Sequence, residues 1–270
     1  MNGDLMRDIT REEIETYQRD GVVLLKNQFN QEWIEFLRNL AEEDMNTPGK
    51  LKHELADASD SGRFFVNTFL WHRSSEFKKF VFESPARKVV SALMKASKVN
   101  IVFDQLLIKE PNTKTRTHWH HDLTYWPISG DSVCTLWLAL DDATAETGAV
   151  EYIKGSHKWG VKYRPTAFRP EIEYAEDLPE VPDVDATREK FDIVQYELKP
   201  GDCTVHHGLT LHGAPGNQTP TRRRRAHVTR WAGDEVVYDP RPNVQPMLFD
   251  PEIPAGAPLD SDLWPVVWRV

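Results

Sequence analysis

The stretch IVFDQLLIKEPNTKTRTHWHHDLTYWPISGDSVCTLWLAL, residues 101–140, decides the fold. Its two ends, 101–109 and 133–140, are runs of β-branched, aliphatic and aromatic residues too short for buried helices, and between them lies a polar, turn-rich segment carrying HWHHD. Further short runs follow at 149–153, 193–198, 203–206 and 226–231, punctuated by Gly, Pro, Asn and Asp. Many short strands with no helices of ten to fifteen residues between them argue for a sandwich or barrel rather than a parallel α/β sheet. A mainly β jelly roll is the simplest architecture.

Toward the N-terminus the pattern is helical. Thr10 followed by Glu13 forms a capping box, Gly21 stops that helix, and residues 22–25 read as a strand. Asn30 caps a second helix with Trp33, Phe36, Leu37 and Leu40 at helical spacing, and a third is expected over about 84–98. Residues 46–62 read as a loop. Residues 158–192 are acidic, contain Pro and lack a period, which suits a lid or binding segment. The expected organisation is one domain over 1–270: a helical N-terminal layer to about 99, packed on a β core from about 100 to 235, the lid at 158–192, and a C-terminal extension at 236–270.

Composition narrows the class. The chain has 270 residues, 40% hydrophobic, with nine Trp and twelve Phe, enough to fill a sizeable core. A net charge of −9 speaks against a nucleic-acid partner, since phosphate contacts need a clustered positive surface. No apolar run reaches the roughly 18 to 20 residues of a membrane span, and residues 1–10 lack a signal-peptide core. Cys134 and Cys203 each lie in an apolar stretch and read as buried free thiols. The expectation is a cytoplasmic globular protein whose partner is a small molecule rather than a nucleic acid or a membrane.

In an extended backbone, residues i and i+2 share a side, so His120 and Asp122 present an imidazole and a carboxylate together. A third ligand must come from elsewhere, and VHHGLTLHG (205–213) offers His206, His207 and His212. Two histidines and one carboxylate on one face of an octahedron leave three positions open, the arrangement that selects Fe(II) in oxygenases. A hydrolase or isomerase on a cupin scaffold, using Zn(II) or Mn(II), and a non-catalytic cupin-like binding protein are the competing readings.

The segments HHDLTYWP, GAVEYIKGSHKWG and GLTLHGAPGN, with an Arg-rich strand start after them and YQRDGVVLLKN near the N-terminus, resemble the phytanoyl-CoA dioxygenase family of Fe(II)/2-oxoglutarate oxygenases. The resemblance implies a double-stranded β-helix (jelly roll, cupin-like) and iron held by His120, Asp122 and His212. Fe(II), 2-oxoglutarate and O2 are then the cofactor and cosubstrates. The implied reaction is hydroxylation of an unactivated C–H bond of a small organic metabolite, with release of succinate and CO2. Asp122 favours hydroxylation over halogenation, because halogenating relatives lack that carboxylate, with desaturation, ring closure and epimerisation as alternatives that share the same oxidant.

The resemblance also implies an arginine beyond the distal histidine that pairs with the remote carboxylate of 2-oxoglutarate. A desolvated carboxylate wants a planar, bidentate, permanently charged partner. In the run 222–225, alignment on AHVTRW favours Arg224 and counting from His212 favours Arg223; Arg224 is the choice here. Trp137 matches an aromatic lining the cosubstrate pocket, and Gln105 and Lys109, on one face of the preceding strand, are candidates to hydrogen-bond the oxo acid. His118 shares the parity of His120 and is expected to line or support the site. His121 is expected to point away, and His206 and His207 read as core or supporting residues. The other arginines read as solvated, with an acid of the lid as the alternative for Arg230. Trp71, Trp119, Tyr125 and Trp126 are candidates for an aromatic substrate pocket.

Overall fold

Thr10 opens helix α1 (Arg11–Asp20): its hydroxyl accepts from the Glu13 amide while the Glu13 carboxylate returns to the Thr10 amide. Gly21 ends the helix at φ 75°, a left-handed backbone that glycine adopts at little cost, and turns the chain directly into strand β1 (Val22–Leu25). Asn30 caps α2 (Gln31–Asn46), which buries Trp33, Ile34, Leu37, Leu40 and Ala41. This computed structural model describes residues 1, 3–55, 61–165, 177–242 and 244–270. The chain continues through β2 (Lys52–Glu54), β3 (Phe64–Thr68), α3 (Leu70–Arg73), α4 (Ser75–Glu83), α5 (Ala86–Met94) and β4 (Lys98–Lys109).

The helix expected over 84–98 is shorter, and another precedes it. Ser84 takes an extended backbone and Pro85 brings no amide, so α4 stops at Glu83 and α5 begins at Ala86. Lys95 adopts a left-handed conformation (φ 56°) that ends α5, and Lys98 already belongs to β4. The loop expected over 46–62 contains β2, which pairs with β3; residues 56–60 lie outside the described residues.

The rest of the chain supplies β5 (Thr117–His120), β6 (Ile128–Ser129), β7 (Val133–Ala139), β8 (Glu151–Ile153), β9 (Ile193–Gln195), β10 (Cys203–His207), β11 (His212–Ala214), β12 (Arg224–Ala232), β13 (Val237–Tyr238) and β14 (Val266–Arg269). The main sheet has the order β1-β10-β7-β12-β4-β3-β2, with β14 pairing β4; the smaller sheet is β5-β11-β8-β9. Pairing within both is antiparallel, and neighbours such as β7 and β12 are remote in sequence. This is the double-stranded β-helix, with the N-terminal helices on the outer face of the main sheet. The C-terminal segment joins it: β14 lies beside Lys98–Asn100.

Strand alternation sorts the main sheet's two faces. On β7, Cys134, Leu136 and Leu138 enter the apolar core beneath the helices, with Trp33, Phe80, Val89 and Leu93. Thr135 and Trp137 face the interior between the sheets. On β4 a bulge at Val102 resets the alternation: Arg230 pairs with Phe103 and Trp231 with Ile101, so Phe103 turns inward while Ile101 stays in the outer core. Burying each aromatic or aliphatic side chain of that core contributes about 1.5–3 kcal/mol. Cys134 and Cys203 are free and buried, and burial pushes both thiols far up. No described helix is long and apolar enough to cross a membrane.

Candidate metal and cosubstrate site

β5 and β11 run antiparallel with His120 directly opposite His212, which sets the two rings 4.2 Å apart. Each Nδ1 is tied to the carbonyl two residues back in its own chain: His120 to His118 at 2.7 Å and His212 to Thr210 at 2.9 Å. A carbonyl only accepts, so the ring proton sits on Nδ1 and the Nε2 lone pair is left for a ligand bond. The Nε2 atoms of His120 and His212 lie 3.5 and 3.8 Å from Asp122 Oδ1. One donor atom from each of the three residues lies within 4.8 Å of the others.

Asp122 reaches this point by a different route from the expected alternation. It lies past the end of β5 in helical backbone (φ −75°, ψ −40°), leading the 3-10 turn Leu123–Tyr125. Its carboxylate is held from the main sheet, where Thr135 Oγ1 donates to Oδ2 at 2.6 Å and His206 Nε2 lies 3.4 Å from the same oxygen. Burial alone would raise this carboxyl; contact with His120 and His206, with His212 and Arg230 close by, holds it well below the usual carboxylate range. Burial, with His120 and His206 crowding it, pushes His212 well below the usual imidazole range. Two imidazoles offering Nε2 lone pairs and one ionised carboxylate, the one such cluster among the described residues, match the donor set of a three-ligand Fe(II) centre.

The neighbouring histidines separate. His118 is exposed, and its carbonyl rather than its ring supports the site. The parity argument fails there because β5 spends three steps, Thr117 to His120, where β11 spends two, Ala214 to His212. His121 turns away to accept from the Tyr163 amide, and burial pushes it down to about 4. His206 stays inside, 1% exposed, with its ring 4.3 Å from that of His212.

The triad opens onto a cavity of about 210 Å³ between the sheets, lined by Gln105, Trp137, Arg224 and Arg230 from the main sheet. Arg224 is 2% exposed and its guanidinium lies 5.4 Å over the Trp137 ring. Its Nη1 donates to the Leu107 carbonyl at 3.3 Å, and its Nε has no partner among the described residues. Burial pulls this arginine down to about 10. Arg223 is not brought to the cavity: Glu42 and Glu110 bind it at the surface. Lys109 is not brought there either. Its Nζ donates to the Pro215 carbonyl at 2.7 Å and sits over the Phe64 ring.

Arg230, expected to be solvated or to meet a lid acid, instead enters the cavity from β12 and donates to Gln105 Oε1 at 2.9 Å. None of the described residues of 158–192 lines the cavity; Val181, Val184 and Phe191 pack with Trp119, Ile153 and Leu211 against the smaller sheet. Phe168, Arg169 and Tyr174 of the expected lid lie outside the described residues. Of the aromatic candidates, Tyr125 and Trp126 line the cavity, Trp119 faces the other way with Nε1 on Asp185, and Trp71 is under the helices. Thr135 and Arg230 are the side chains whose place in the site the sequence reading did not give, whereas His206, read as core or supporting, lies buried against Asp122. For Arg230 the signal was available: it shares strand parity with Arg224.

Residues 17–226 match the model of the phytanoyl-CoA dioxygenase (PhyH) family. Phytanoyl-CoA dioxygenase 1 of Oryza sativa subsp. japonica is 33% identical over 147 residues, covering 54% of this chain and 50% of the rice protein. A phytanoyl-CoA dioxygenase domain-containing protein 1 homolog of Caenorhabditis briggsae is 23% identical over 293 residues, covering 87% of this chain and 98% of that one. The match thus spans half the rice protein and nearly all of the nematode protein. Among solved structures, the non-heme alpha ketoglutarate dependent carbocyclase SnoK from nogalamycin biosynthesis superposes with a TM-score of 0.77 at 22% identity, covering 98% of this chain and 99% of that one. The epimerase SnoN, in complex with Fe3+, alpha ketoglutarate and nogalamycin RO, gives 0.73 at 22%, covering 95% and 97%. By the extent of the family match, this chain belongs to the phytanoyl-CoA dioxygenase family.

Proposed function

We propose that His120, Asp122 and His212 hold Fe(II), that Arg224 receives the remote carboxylate of 2-oxoglutarate, and that the enzyme hydroxylates a C–H bond of a small organic molecule in the adjoining cavity. The observation that carries this reading is one cavity containing both a His/Asp/His cluster and a buried guanidinium with no carboxylate of the described residues on it. Leaving an arginine buried and unpaired is costly unless a ligand supplies the anion. A hydrolase using the same cluster has no use for Arg224.

Iron with 2-oxoglutarate and dioxygen supplies the oxidising power, releasing succinate and CO2. The chain's residues set the geometry. Carbonyls of His118 and Thr210 fix the two imidazoles so that Nε2 faces Asp122. Thr135 fixes the carboxylate. Trp137 gives Arg224 a flat surface to lie on, and Phe103, Tyr125 and Trp126 present an apolar wall that excludes water from the reacting bond. Residues 1–270 act as one catalytic domain in this reading, because β1 and β14, from its two ends, both join the main sheet.

Succinate formation from 2-oxoglutarate, followed with Fe(II) across a panel of small organic acids, alcohols and amines, tests the reading. Arg224→Gln is expected to weaken 2-oxoglutarate about 100-fold, as loss of a bidentate charged pair does. Arg223→Gln is expected to change it less than about threefold, as an exposed pair does. A larger effect at Arg223, or no 2-oxoglutarate binding by the Fe(II)-loaded protein, contradicts it.

A further inference from the structure

The run of buried and half-buried arginines at the start of β12 and along it, Arg223 to Arg230, divides by its partners. Arg223 is held by Glu42 and Glu110, and Arg225 by Glu42 and Asp141. Among the described residues, the two that line the cavity have no carboxylate within ion-pair distance. Arg224 is accounted for by 2-oxoglutarate; Arg230 is not. Arg230 is 7% exposed, its guanidinium lies 4.7 Å over the Phe103 ring, and its Nη2 donates to Gln105. Its Nε and Nη1 have no partner among the described residues. One edge of a rigid donor fork is therefore anchored while two donors remain unfilled inside a cavity.

We propose that Arg230 binds an oxyanion of the primary substrate, a carboxylate, and so makes this enzyme a hydroxylase of small carboxylic acids at a carbon near the acid group. The proposal rests on the iron and 2-oxoglutarate reading of the same cavity and adds the substrate class to it.

Charge balance supports it. Asp122 is the sole carboxylate lining the cavity among the described residues. With Fe(II), neutral imidazole ligands and the 2-oxoglutarate dianion in place, two arginines and one aspartate leave the site with one excess positive charge. A low-dielectric site with one unmatched cation favours a monoanionic guest.

Register supports it as well. Arg224 and Arg230 are six positions apart on one face of β12, about 20 Å between their Cα atoms. Arg230 pairs with Thr135, which pairs with His206. Thr135 and His206 are the two main-sheet residues against Asp122 Oδ2. Arg230 thus stands on the metal's own cross-strand row, and an anion held there lies beside the iron rather than at the far end that Arg224 serves. Phe103, Tyr125 and Trp126 flank that end, which suits an acid with an apolar body.

The test uses the Fe(II)-loaded protein with 2-oxoglutarate under anaerobic conditions and calorimetric titration of matched probes: acetate, benzoate and 3-phenylpropionate against their primary amides. The expected result is that at least one acid binds about tenfold or more tighter than its amide, the discrimination a charged hydrogen-bonded pair provides. In Arg230→Gln that preference is expected to shrink to within about twofold while 2-oxoglutarate affinity changes less than about threefold. Arg230→Lys, which keeps the charge, is expected to retain part of the preference, and serves as the variant if the glutamine form does not fold. No preference for any acid in the unaltered protein, or a preference that survives in Arg230→Gln, overturns the proposal. So does a loss of 2-oxoglutarate affinity matching the loss of acid affinity, since Arg230 then serves the cosubstrate. Failure of the underlying reading shows separately, as unchanged 2-oxoglutarate affinity in Arg224→Gln.

Discussion

The two faces of the main sheet are built from the same strands and do opposite work. On β7, Cys134, Leu136 and Leu138 are sealed under the helices, while Thr135 and Trp137, one residue away in each case, border the cavity. On β12, Trp231 joins the outer core, and its neighbour Arg230 lies in the site. The outer face carries apolar packing and little chemistry; the inner face carries two incompletely partnered guanidinia, with Thr135 and His206 set against Asp122, and looks across the cavity at His120 and His212 on the smaller sheet. The polar inner groups are costly to bury, and the packed outer face offsets that cost. Strand periodicity thus lets one sheet separate stability from function at a spacing of one residue.

That separation can be broken from the outer side. Phe80 on α4 is fully buried and packs on the rings of Phe29, Trp33 and His227. Phe80→Ala is expected to cost about 3–5 kcal/mol of unfolding free energy in urea titration. In the remaining folded protein, Fe(II) and 2-oxoglutarate affinities should stay near those of the unaltered chain. A variant of unchanged stability that loses 2-oxoglutarate binding would mean the faces are coupled.

A smaller effect sharpens the comparison through pH. His207, at the end of β10, is pushed down to about 4, first by burial and then by His157 beside it. The unfolded chain titrates near pH 6.5, so between these values protons bind the unfolded chain preferentially. Stability is therefore full above about pH 6.5, falls as pH drops below it, and levels off near pH 4, a loss on the order of 1–3 kcal/mol. The urea midpoint of metal-free protein at pH 7 and pH 5 measures this, and His207→Asn should flatten part of the slope. An unchanged slope in the variant would assign the acid sensitivity to the site's own histidines.

Much of this division could be read in advance, because strands advertise themselves by short β-branched runs and a period of two. The strands at 101–109, 133–140 and 203–206 lie close to β4, β7 and β10. The helix α4 went unread although it is as long as α5; Phe77, Phe80 and Val81, buried in the outer core, stabilise it through packing. The pairing of His120 with Asp122 was foreseen on strand parity, yet Asp122 arrives by a helical turn and a hydrogen bond from Thr135, a residue remote from any such pattern. His118 was misplaced because a bulge in β5 breaks the alternation, and a bulge has no signature in a four-residue strand. Between Arg223 and Arg224 the sequence favours Arg224 by strand alignment alone; the folded chain adds that Glu42 and Glu110 hold Arg223 away from the cavity.

The central claim is that His120, Asp122 and His212 share one Fe(II) ion while His206, as close to Asp122, does not. Anaerobic titration of Fe(II) into protein with 2-oxoglutarate, read by the visible charge-transfer absorption of the chelate, tests it most directly. His212→Ala and Asp122→Ala are expected to weaken Fe(II) by more than about 100-fold and abolish the band, whereas His206→Gln, acting through the carboxylate, should weaken it by about tenfold and keep the band. A full band in folded His212→Ala, or its loss in His206→Gln alone, would contradict the account.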